Sequence, residues 1–547
     1  MPVNHAVTAP GQLASLACAW AAGPTGQSLH KALLSTLPAR ASVALASGAR
    51  AIAIATLASS DPDATFLAIT ATTREAEDLG AALTCFLGHD AIGVFPSWET
   101  LPHERLSPRS DTVGRRLAVL RRLAHPDPSD PAYGPMRVVV APIRAVLQPL
   151  APGLGDLEPV ALRAGDERRL EEVVEALSAA AYLRTDMVER RGDFAVRGGI
   201  VDVFPPTEEH PLRVEFWGDT VEEIRWFRVA DQRSLEIAQH GLWAPPCREL
   251  LLTPSVRERA AALADRLPGI ADLLTKVAAG IAVEGMESLT PALVGDDLQS
   301  LISVLPETSR VITCDPERIR LRARDLVATS EEFLEASWSS AAAGSAVPVD
   351  LRAILGQGSY YAIPHLRGQA HERGMPWWDL SPFAADSELA EAADDADDEE
   401  VTLDLGLRDT PRYRGDTEAA VSSIRDWLAE GTHVYVVTEG PGLARRVVEV
   451  LGEHGIPARL AAEDLAPVSS IALVTTGALG FGFVDAASSF VVVTEADLTG
   501  GQGQGSSTRD MRRMPSRRRA QVDPLALRPG DYVVHEQHGV GLSLIHI

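Results

Sequence analysis

The chain has 547 residues and a formal net charge of −25 at pH 7, and its four cysteines are widely separated. The length predicts about three to five domains of roughly 100 to 200 residues each. The negative charge argues against strong non-specific binding of the whole chain to nucleic acid, and the absence of any C-x-x-C pair excludes a zinc ribbon. The cysteines give no disulfide framework, which suits a reducing cytosol, and no apolar run is long enough to span a membrane, so we expect a cytoplasmic protein.

The first 150 residues alternate apolar strands with amphipathic helices, which is the pattern of an α/β sheet. Buried parallel strands are predicted at 64–70 and 137–141, and helices at 73–87 and 111–124. Ser110 or Asp111 is expected to cap the last of these helices. No Lys or Arg precedes the apolar stretch at 13–22, so we predict a buried N-terminal helix there rather than a signal peptide.

The middle of the chain changes its pattern. A helix is predicted at 167–181, and from 182 to 227 the apolar period shortens towards two, which indicates a small antiparallel sheet. Helices return at 250–340 around one strand at 310–313. Between Asp386 and Glu400 almost every second residue is acidic. Such a run cannot offset its ordering entropy by burial, so a solvated linker is expected, with an acidic interaction tail as the alternative.

A second α/β unit is predicted after the acidic run. Its helices are expected at 416–430 and 442–455, and its strands at 433–438, 471–475 and 489–494. A glycine-rich and arginine-rich connector follows, in which the arginines at 509–519 either contact phosphates or belong to a solvated linker.

These patterns predict a multidomain α/β protein with seven parts. They are an α/β domain at 1–150, a small β domain at 151–245, the second part of the α/β module at 246–380, an acidic linker at 381–404, an independent α/β domain at 405–500, a Gly/Arg-rich linker at 501–522 and the start of a further domain at 523–547.

The lysine content excludes an intact P-loop. Only Lys31 and Lys276 occur in the whole chain, and neither follows a glycine. A P-loop needs Gly-Lys-Ser/Thr, so that backbone amides cradle the phosphates while the ammonium reaches the terminal ones. We therefore expect no catalytic residues and no cofactor in this chain.

The stretch at 190–227 carries the strongest signal. Alternation predicts a core face of Phe194, Val196, Leu212, Val214 and Phe216. Arg197, Arg213 and Glu215 are then expected to point outwards. The glycine pair that follows Arg197 allows a bulge that would re-aim its side chain.

Together with 182–186, this stretch resembles the UvrA-binding domain shared by the excision-repair protein UvrB and the transcription-repair coupling factor family. The resemblance implies UvrA contacts for Arg184, Arg197, Arg213 and Glu215. Ala195 stands where UvrB has a further arginine. From spacing alone, these arginines could instead merely solvate a sheet face.

The segment at 95–102 separates the two relatives. With the Ser-Pro pair at 107–108 and the helix after it, this segment resembles the first domain of the coupling factor. UvrB has a long aromatic hairpin in this region, whereas here only a short loop separates Trp98 from the helix. The resemblance therefore favours the coupling factor. The alternative is that Phe95 and Trp98 only pack the loop.

The loop at 46–51 stands where UvrB has its P-loop. Arg50 takes the place of the lysine, and Ala51 removes the hydroxyl that would hold magnesium. We predict that Gly48, Arg50 and Ala51 form a degenerate nucleotide loop that binds no nucleotide. Glu495 and Asp497, without a histidine partner, are predicted to be structural, so no metal site is expected.

The last segment resembles the start of the RNA-polymerase-interaction domain of the same family, a small barrel related to CarD-type regulators. Tyr532, Val533, His535 and His538 belong to it. Beyond Gly541 the sequence departs from the family pattern. Half a hairpin cannot close a barrel, so we expect a truncated reading frame.

The resemblance implies the N-terminal part of an ATP-dependent DNA translocase that displaces stalled RNA polymerase and recruits UvrA. This part would supply UvrA docking, and RNA polymerase would bind through its β subunit. DNA contacts, ATP and Mg²⁺ would belong mainly to the motor of the full-length protein. The alternatives are a UvrB-type damaged-DNA-binding helicase subunit and a non-enzymatic repair or transcription adaptor without a motor.

Overall fold

The structure is a computed structural model of the chain. It describes residues 11–100, 106–127, 133–267, 270–295, 298–340, 360–383, 400–461, 465–500, 532–535 and 539–542. Within these ranges, none of the helices has the length and apolar character needed to cross a lipid bilayer. The basic connector and nearly all of the acidic run lie outside the described residues.

The N-terminal region alternates helices and strands. Its elements are α1 Ala14–Ala22, α2 Pro24–His30, β1 Arg40–Ala44, α3 Arg50–Ser60, β2 Phe66–Thr70, α4 Thr73–Leu87, β3 Ile92–Val94, α5 Ser110–Ala124, β4 Val138–Pro142 and α6 Ile143–Leu147.

A small β domain follows. Its elements are β5 Val160–Leu162, α7 Leu170–Ala179, β6 Leu183–Arg184, β7 Asp193–Arg197, β8 Ile200–Val203, β9 Leu212–Trp217, β10 Thr220–Phe227, β11 Ser234–Ile237 and β12 Leu242–Ala244. Six of the strands form one sheet in the order β11-β10-β9-β8-β7-β6. The pairs are antiparallel except β6 with β7, which is parallel.

The chain then returns to the first module. The elements are α8 Pro254–Ala264, α9 Ala271–Ala278, α10 Thr290–Val294, α11 Leu301–Val304, β13 Arg310–Cys314, α12 Pro316–Ser340, α13 Ile363–Glu372, β14 Trp377–Ser381 and β15 Glu400–Asp404.

The second α/β unit and a terminal hairpin complete the chain. The elements are β16 Arg408–Asp409, α14 Thr417–Ala429, β17 His433–Thr438, α15 Pro441–Glu453, β18 Ala458–Leu460, β19 Ala472–Thr476, β20 Phe483–Asp485, β21 Phe490–Thr494, α16 Glu495–Thr499, β22 Tyr532–His535 and β23 Gly539–Leu542.

The first module is built on a parallel sheet of seven strands in the order β15-β1-β14-β13-β2-β4-β3. The mixed α/β class predicted from the sequence is confirmed. The small β domain lies in the chain between β4 and β13, two strands of this one sheet. β15, in the range expected to be a linker, pairs with β1 and forms the outer strand.

The second α/β unit does not pack as a separate body. Its sheet has the order β16-β20-β21-β17-β19-β18. One face of this sheet, including Tyr435, Phe483 and Phe490, joins the same apolar core as α1 and α3. The sequence predicted an independent unit, but the unit shares its apolar core with the first module. Separating the two would expose this face of the sheet to water.

Two local expectations had different outcomes. A helix does form at the apolar N-terminal stretch, with Leu16 and Trp20 fully buried. The expected cap of α5 is wrong: its N-cap residue is Arg109, with no side-chain cap. Ser110 instead donates its hydroxyl to the carbonyl of Arg191, 2.8 Å away, and so ties the helix to the small β domain.

Candidate docking surface

The central strands of the small β sheet bury one face. Phe194, Leu212, Val214 and Phe216 pack in one core with Val173 and Leu177 of α7. The alternation of the strands produces this face, because every second side chain points to the same side of a sheet. The predicted core face is confirmed, with Val196 partly buried at its margin.

The opposite face contains part of the predicted site. Arg197 pairs in register with Ile200, and Ile200 pairs with Glu215, so their three side chains form one row across β7, β8 and β9. Arg197 is exposed and Glu215 is half-buried. The Nη2 of Arg197 donates to the backbone oxygen of Asp186 at 2.7 Å, which links the row to the turn after β6.

Arg184 lies on the neighbouring edge strand. β6 has β7 on one side and no strand on the other within the described residues, and Arg184 pairs with Phe194. Arg184 is exposed, and so is the preceding Leu183. Residues paired in register point to the same side of a sheet, so Arg184 lies on the side of Phe194 and Arg197 on the opposite side. Both arginines are exposed, on adjacent strands at this edge of the sheet.

Arg213 does not point freely outwards, which corrects the sequence expectation. Only 16% of its side chain is exposed. Its Nε and Nη2 donate to the two carboxylate oxygens of Asp202 at 2.7 and 2.9 Å, and its guanidinium lies 4.8 Å from the centre of the Phe227 ring. The hydrogen bonds to Asp202 raise the pKa of Arg213 above its usual value. A bidentate pair of this kind holds β8 against β9.

Ala195 has a structural explanation. It is 2% exposed and packs with Val188, Phe204 and Phe227 in a small second core beside the Arg213 pair. A longer side chain would have no room there, so the arginine that UvrB has at this position cannot be accommodated without rearrangement.

The sequence reasoning missed Trp217. Its side chain is 80% exposed, the largest value among the exposed large apolar residues of the described chain. Because it follows Glu215 by two residues in β9, it lies on the face that carries Arg197. The signal was available in the sequence, as an aromatic residue out of phase with the core positions of its strand.

Residues 95–100, the described part of this segment, pack the interior rather than presenting a surface. Phe95 and Trp98 are buried, and the guanidinium of Arg116 lies 4.3 Å from the centre of the first ring and 5.8 Å from that of the second. Arg116 and the indole of Trp98 both donate to Glu249, just after the small β domain. Both residues therefore have a packing role, and their contacts fix the β domain to the first module.

The loop at 46–51 forms a short 3-10 turn, Ser47–Ala49, that leads directly into α3. A Cβ on Gly48 would lie 2.6 Å from the carbonyl oxygen of Phe481. The backbone of the second α/β unit therefore covers this turn. Arg50 points towards Asp315, 3.7 Å away, and Ala51 is buried in α3.

Asp497 has a local structural role. Its Oδ2 accepts from the backbone N–H of Gly482 and from both the N–H and the hydroxyl of Thr494, each at 2.9 Å. Burial raises its pKa. Glu495 accepts from the N–H of Glu439 at 2.8 Å. In the part of the chain that the structure describes, no group of three or more His, Cys, Asp or Glu residues is placed to hold a metal ion.

The last predicted residues fall in the terminal hairpin. β22 pairs with β23 in an antiparallel sheet of two strands, with Tyr532 opposite Leu542, Val533 opposite Gly541 and His535 opposite Gly539. His538 lies outside the described residues.

Comparison with known proteins identifies the β domain. Residues 160–245 match the family model of the UvrB interaction domain. UvrABC system protein B of Natronomonas pharaonis is 39% identical over 99 residues, which is 17% of this chain and 14% of that protein. The fold and this match together define a multidomain α/β protein that carries a UvrB-type interaction domain.

Longer alignments give the family. The transcription-repair-coupling factor of Mycobacterium bovis is 46% identical over 509 residues, 90% of this chain and 39% of that protein. The Bacillus subtilis protein of the same name is 23% identical over 536 residues, 94% of this chain and 42% of that protein. The chain belongs to the transcription-repair-coupling factor family, and it spans about two fifths of the length of these relatives.

Proposed function

We propose that this chain docks UvrA during transcription-coupled nucleotide excision repair. The observation that carries the proposal is the exposure of Arg197, with Arg184 exposed on the adjacent edge strand, on a domain that matches the UvrB interaction domain. Arginine suits this task because its planar guanidinium binds carboxylates through two parallel hydrogen bonds. A charged face of this kind also speeds and orients encounter with an oppositely charged partner.

Trp217 and Glu215 extend the proposed surface. Trp217 offers a large apolar area beside the row of Arg197, and binding energy at interfaces concentrates on Trp, Tyr and Arg. Glu215 supplies a carboxylate in the same row and gives the surface both signs of charge. Arg213 is a positioning residue in this proposal, since its guanidinium is already engaged by Asp202.

The chain itself performs no catalysis in this proposal, and the loop with Gly48, Arg50 and Ala51 is a degenerate nucleotide loop. The backbone that covers Gly48 supports this part of the proposal. ATP, Mg²⁺ and the DNA-translocating motor would belong to the full-length protein, together with displacement of stalled RNA polymerase. We assign the hairpin of Tyr532–His535 and Gly539–Leu542 to a barrel that contacts the polymerase β subunit.

The test is calorimetric titration of the whole chain into UvrA. Arg197→Glu reverses one exposed charge on the docking face and is expected to weaken binding by at least about tenfold. Arg446→Glu is the matched control, because Arg446 is exposed on α15 in the second α/β unit. The control is expected to bind like the wild type.

Three results would contradict parts of the proposal. Equal affinity of Arg197→Glu and wild type would remove this face from the docking surface. No binding of UvrA by the wild-type chain would refute the function itself. Tight binding to lesion-containing DNA would instead favour the UvrB-type damage-binding alternative, which the covered loop at Gly48 disfavours.

A further inference from the structure

Three sequence motifs without an assigned task meet at one place in the fold. They are the loop at 46–51, the glycine-rich stretch at 477–484 and the carboxylates at 495–497. The contact between the first two is unusually close. A Cβ on Gly48 would lie 2.6 Å from the carbonyl oxygen of Phe481, and closer still to that of Gly482. Only a residue without a side chain allows two backbones to approach in this way.

Gly482 is held from its other side by its own unit. Its N–H donates to the buried Asp497, and a Cβ at Gly482 would lie 2.6 Å from the same carboxylate and 2.7 Å from the hydroxyl of Thr410. The segment that covers the loop is therefore fixed by surrounding groups and cannot retreat without breaking these contacts. Asp497, which the sequence predicted to be structural, fixes Gly482 in this position.

A second set of contacts anchors the hairpin of β20 and β21, which directly follows Gly482, to the N-terminal helices α1 and α2. Asp485 is 1% exposed, and its carboxylate accepts from the indole N–H of Trp20 at 2.9 Å and from the hydroxyl of Thr25 at 2.8 Å. The Trp20 ring also packs edge-on against Phe483. Buried hydrogen bonds of this kind favour one arrangement of the hairpin on the helices, since each polar group would lose its partner if the hairpin and the helices separated.

The charge of the loop faces a carboxylate within the chain, although Nε and Nη2 of Arg50 are buried without a hydrogen-bond partner among the described residues. The Nη2 of Arg50 lies 3.7 Å from a carboxylate oxygen of Asp315, and both side chains are largely buried. An intact phosphate-binding loop has a backbone accessible to the phosphates and a basic side chain free to contact them. Here the backbone of Phe481 and Gly482 covers the loop, and the guanidinium of Arg50 faces Asp315.

We propose that the loop at 46–51 is the receptor for the hairpin of β20 and β21, so that it holds the second α/β unit instead of a nucleotide. The two α/β units then behave as one rigid body, with the hairpin seated between the loop and the helices α1 and α2. This inference does not depend on UvrA docking, since it concerns a different surface of the chain.

Hydrogen–deuterium exchange of the whole chain tests the proposal. Gly48→Val adds bulk at the closest contact and is expected to accelerate exchange in β20 and β21 by at least about tenfold, because local opening becomes easier. Asp485→Ala weakens the same seat without adding bulk and carries the same expectation, should the valine variant fail to fold. Gly452→Ala is the control, because Gly452 lies in α15 with open space around it. It is expected to leave the exchange of β20 and β21 unchanged.

The outcomes are distinct. Faster exchange confined to β20, β21 and the facing helices in either variant supports the receptor role. Wild-type exchange in both variants would overturn it. Slower exchange of residues 46–55 when Mg·ATP is added to the wild-type chain would also overturn it, since the loop would then bind nucleotide in place of the hairpin.

Discussion

Replacing Glu249 by alanine is expected to destabilise the junction between the small β domain and the first module by about 3 to 5 kcal/mol. The side chains of Arg116 and Glu249 are 0% and 5% exposed. The carboxylate accepts from Nε of Arg116 at 2.5 Å, from its Nη2 at 3.3 Å and from the indole of Trp98 at 3.0 Å. Alanine leaves a buried guanidinium without a counter-charge and an indole N–H without an acceptor.

The lower part of that range is the better expectation. The Nη1 of Arg116 keeps its bond to the carbonyl of Pro96 at 2.9 Å, and the guanidinium stays against the rings of Phe95 and Trp98. These contacts compensate part of the loss, so we expect about 3 kcal/mol. Whole domains are stable by only about 5 to 15 kcal/mol, and the variant should therefore open locally before it unfolds globally.

The assay is exchange of backbone amides around 95–100 and 245–250, combined with thermal unfolding of the whole chain. Glu258→Ala is the matched control, because Glu258 is exposed on α8. The double variant Arg116→Met with Glu249→Met is expected to recover most of the loss, since it removes both charges. The reasoning fails if Glu249→Ala behaves like the control or if the double variant is less stable than Glu249→Ala.

Two further changes test other parts of the molecule. Burial raises the pKa of Asp497 above its usual 3.8, so its contribution to stability is present at low pH and is lost as pH rises through the raised value. Asp497→Asn is expected to flatten this part of the curve of unfolding free energy against pH. The free energy of unfolding is measured by urea titration at a series of pH values, and the same pH dependence in variant and wild type would refute the assignment. Ala195→Arg restores the arginine of UvrB at a buried position and is expected to lower stability by roughly 1 to 3 kcal/mol. Unchanged thermal unfolding would show that the site beside Phe204 and Phe227 has spare room.

Local pattern determined much of this protein. The helix predicted at 73–87 is α4 Thr73–Leu87, and the strand predicted at 433–438 is β17 His433–Thr438, because each has a clear period and recognisable ends. Alternation along β9 separated the core side chains from the others. The exposed Arg197 followed from the same alternation together with the family resemblance.

Only the tertiary structure decided how the parts meet. Alternation placed Arg213 on the side away from the main core, but the buried Asp202 and the ring of Phe227 lie on that side as well. No local pattern shows that a carboxylate eleven residues away will be the cross-strand partner. Burial depends on neighbours distant in the chain, and a period of two reports only which side of the strand a residue occupies.

The same limit applies to the two α/β units. Composition indicated a boundary at the acidic run, and the sequence by itself determined that Gly48 lacks a following lysine. The seating of Gly48 against Phe481, and the shared core of α1, α3 and the second sheet, join residues several hundred positions apart. The periodicity of each segment determines its own apolar face, but which apolar faces pack together depends on shape and on buried hydrogen bonds between distant segments.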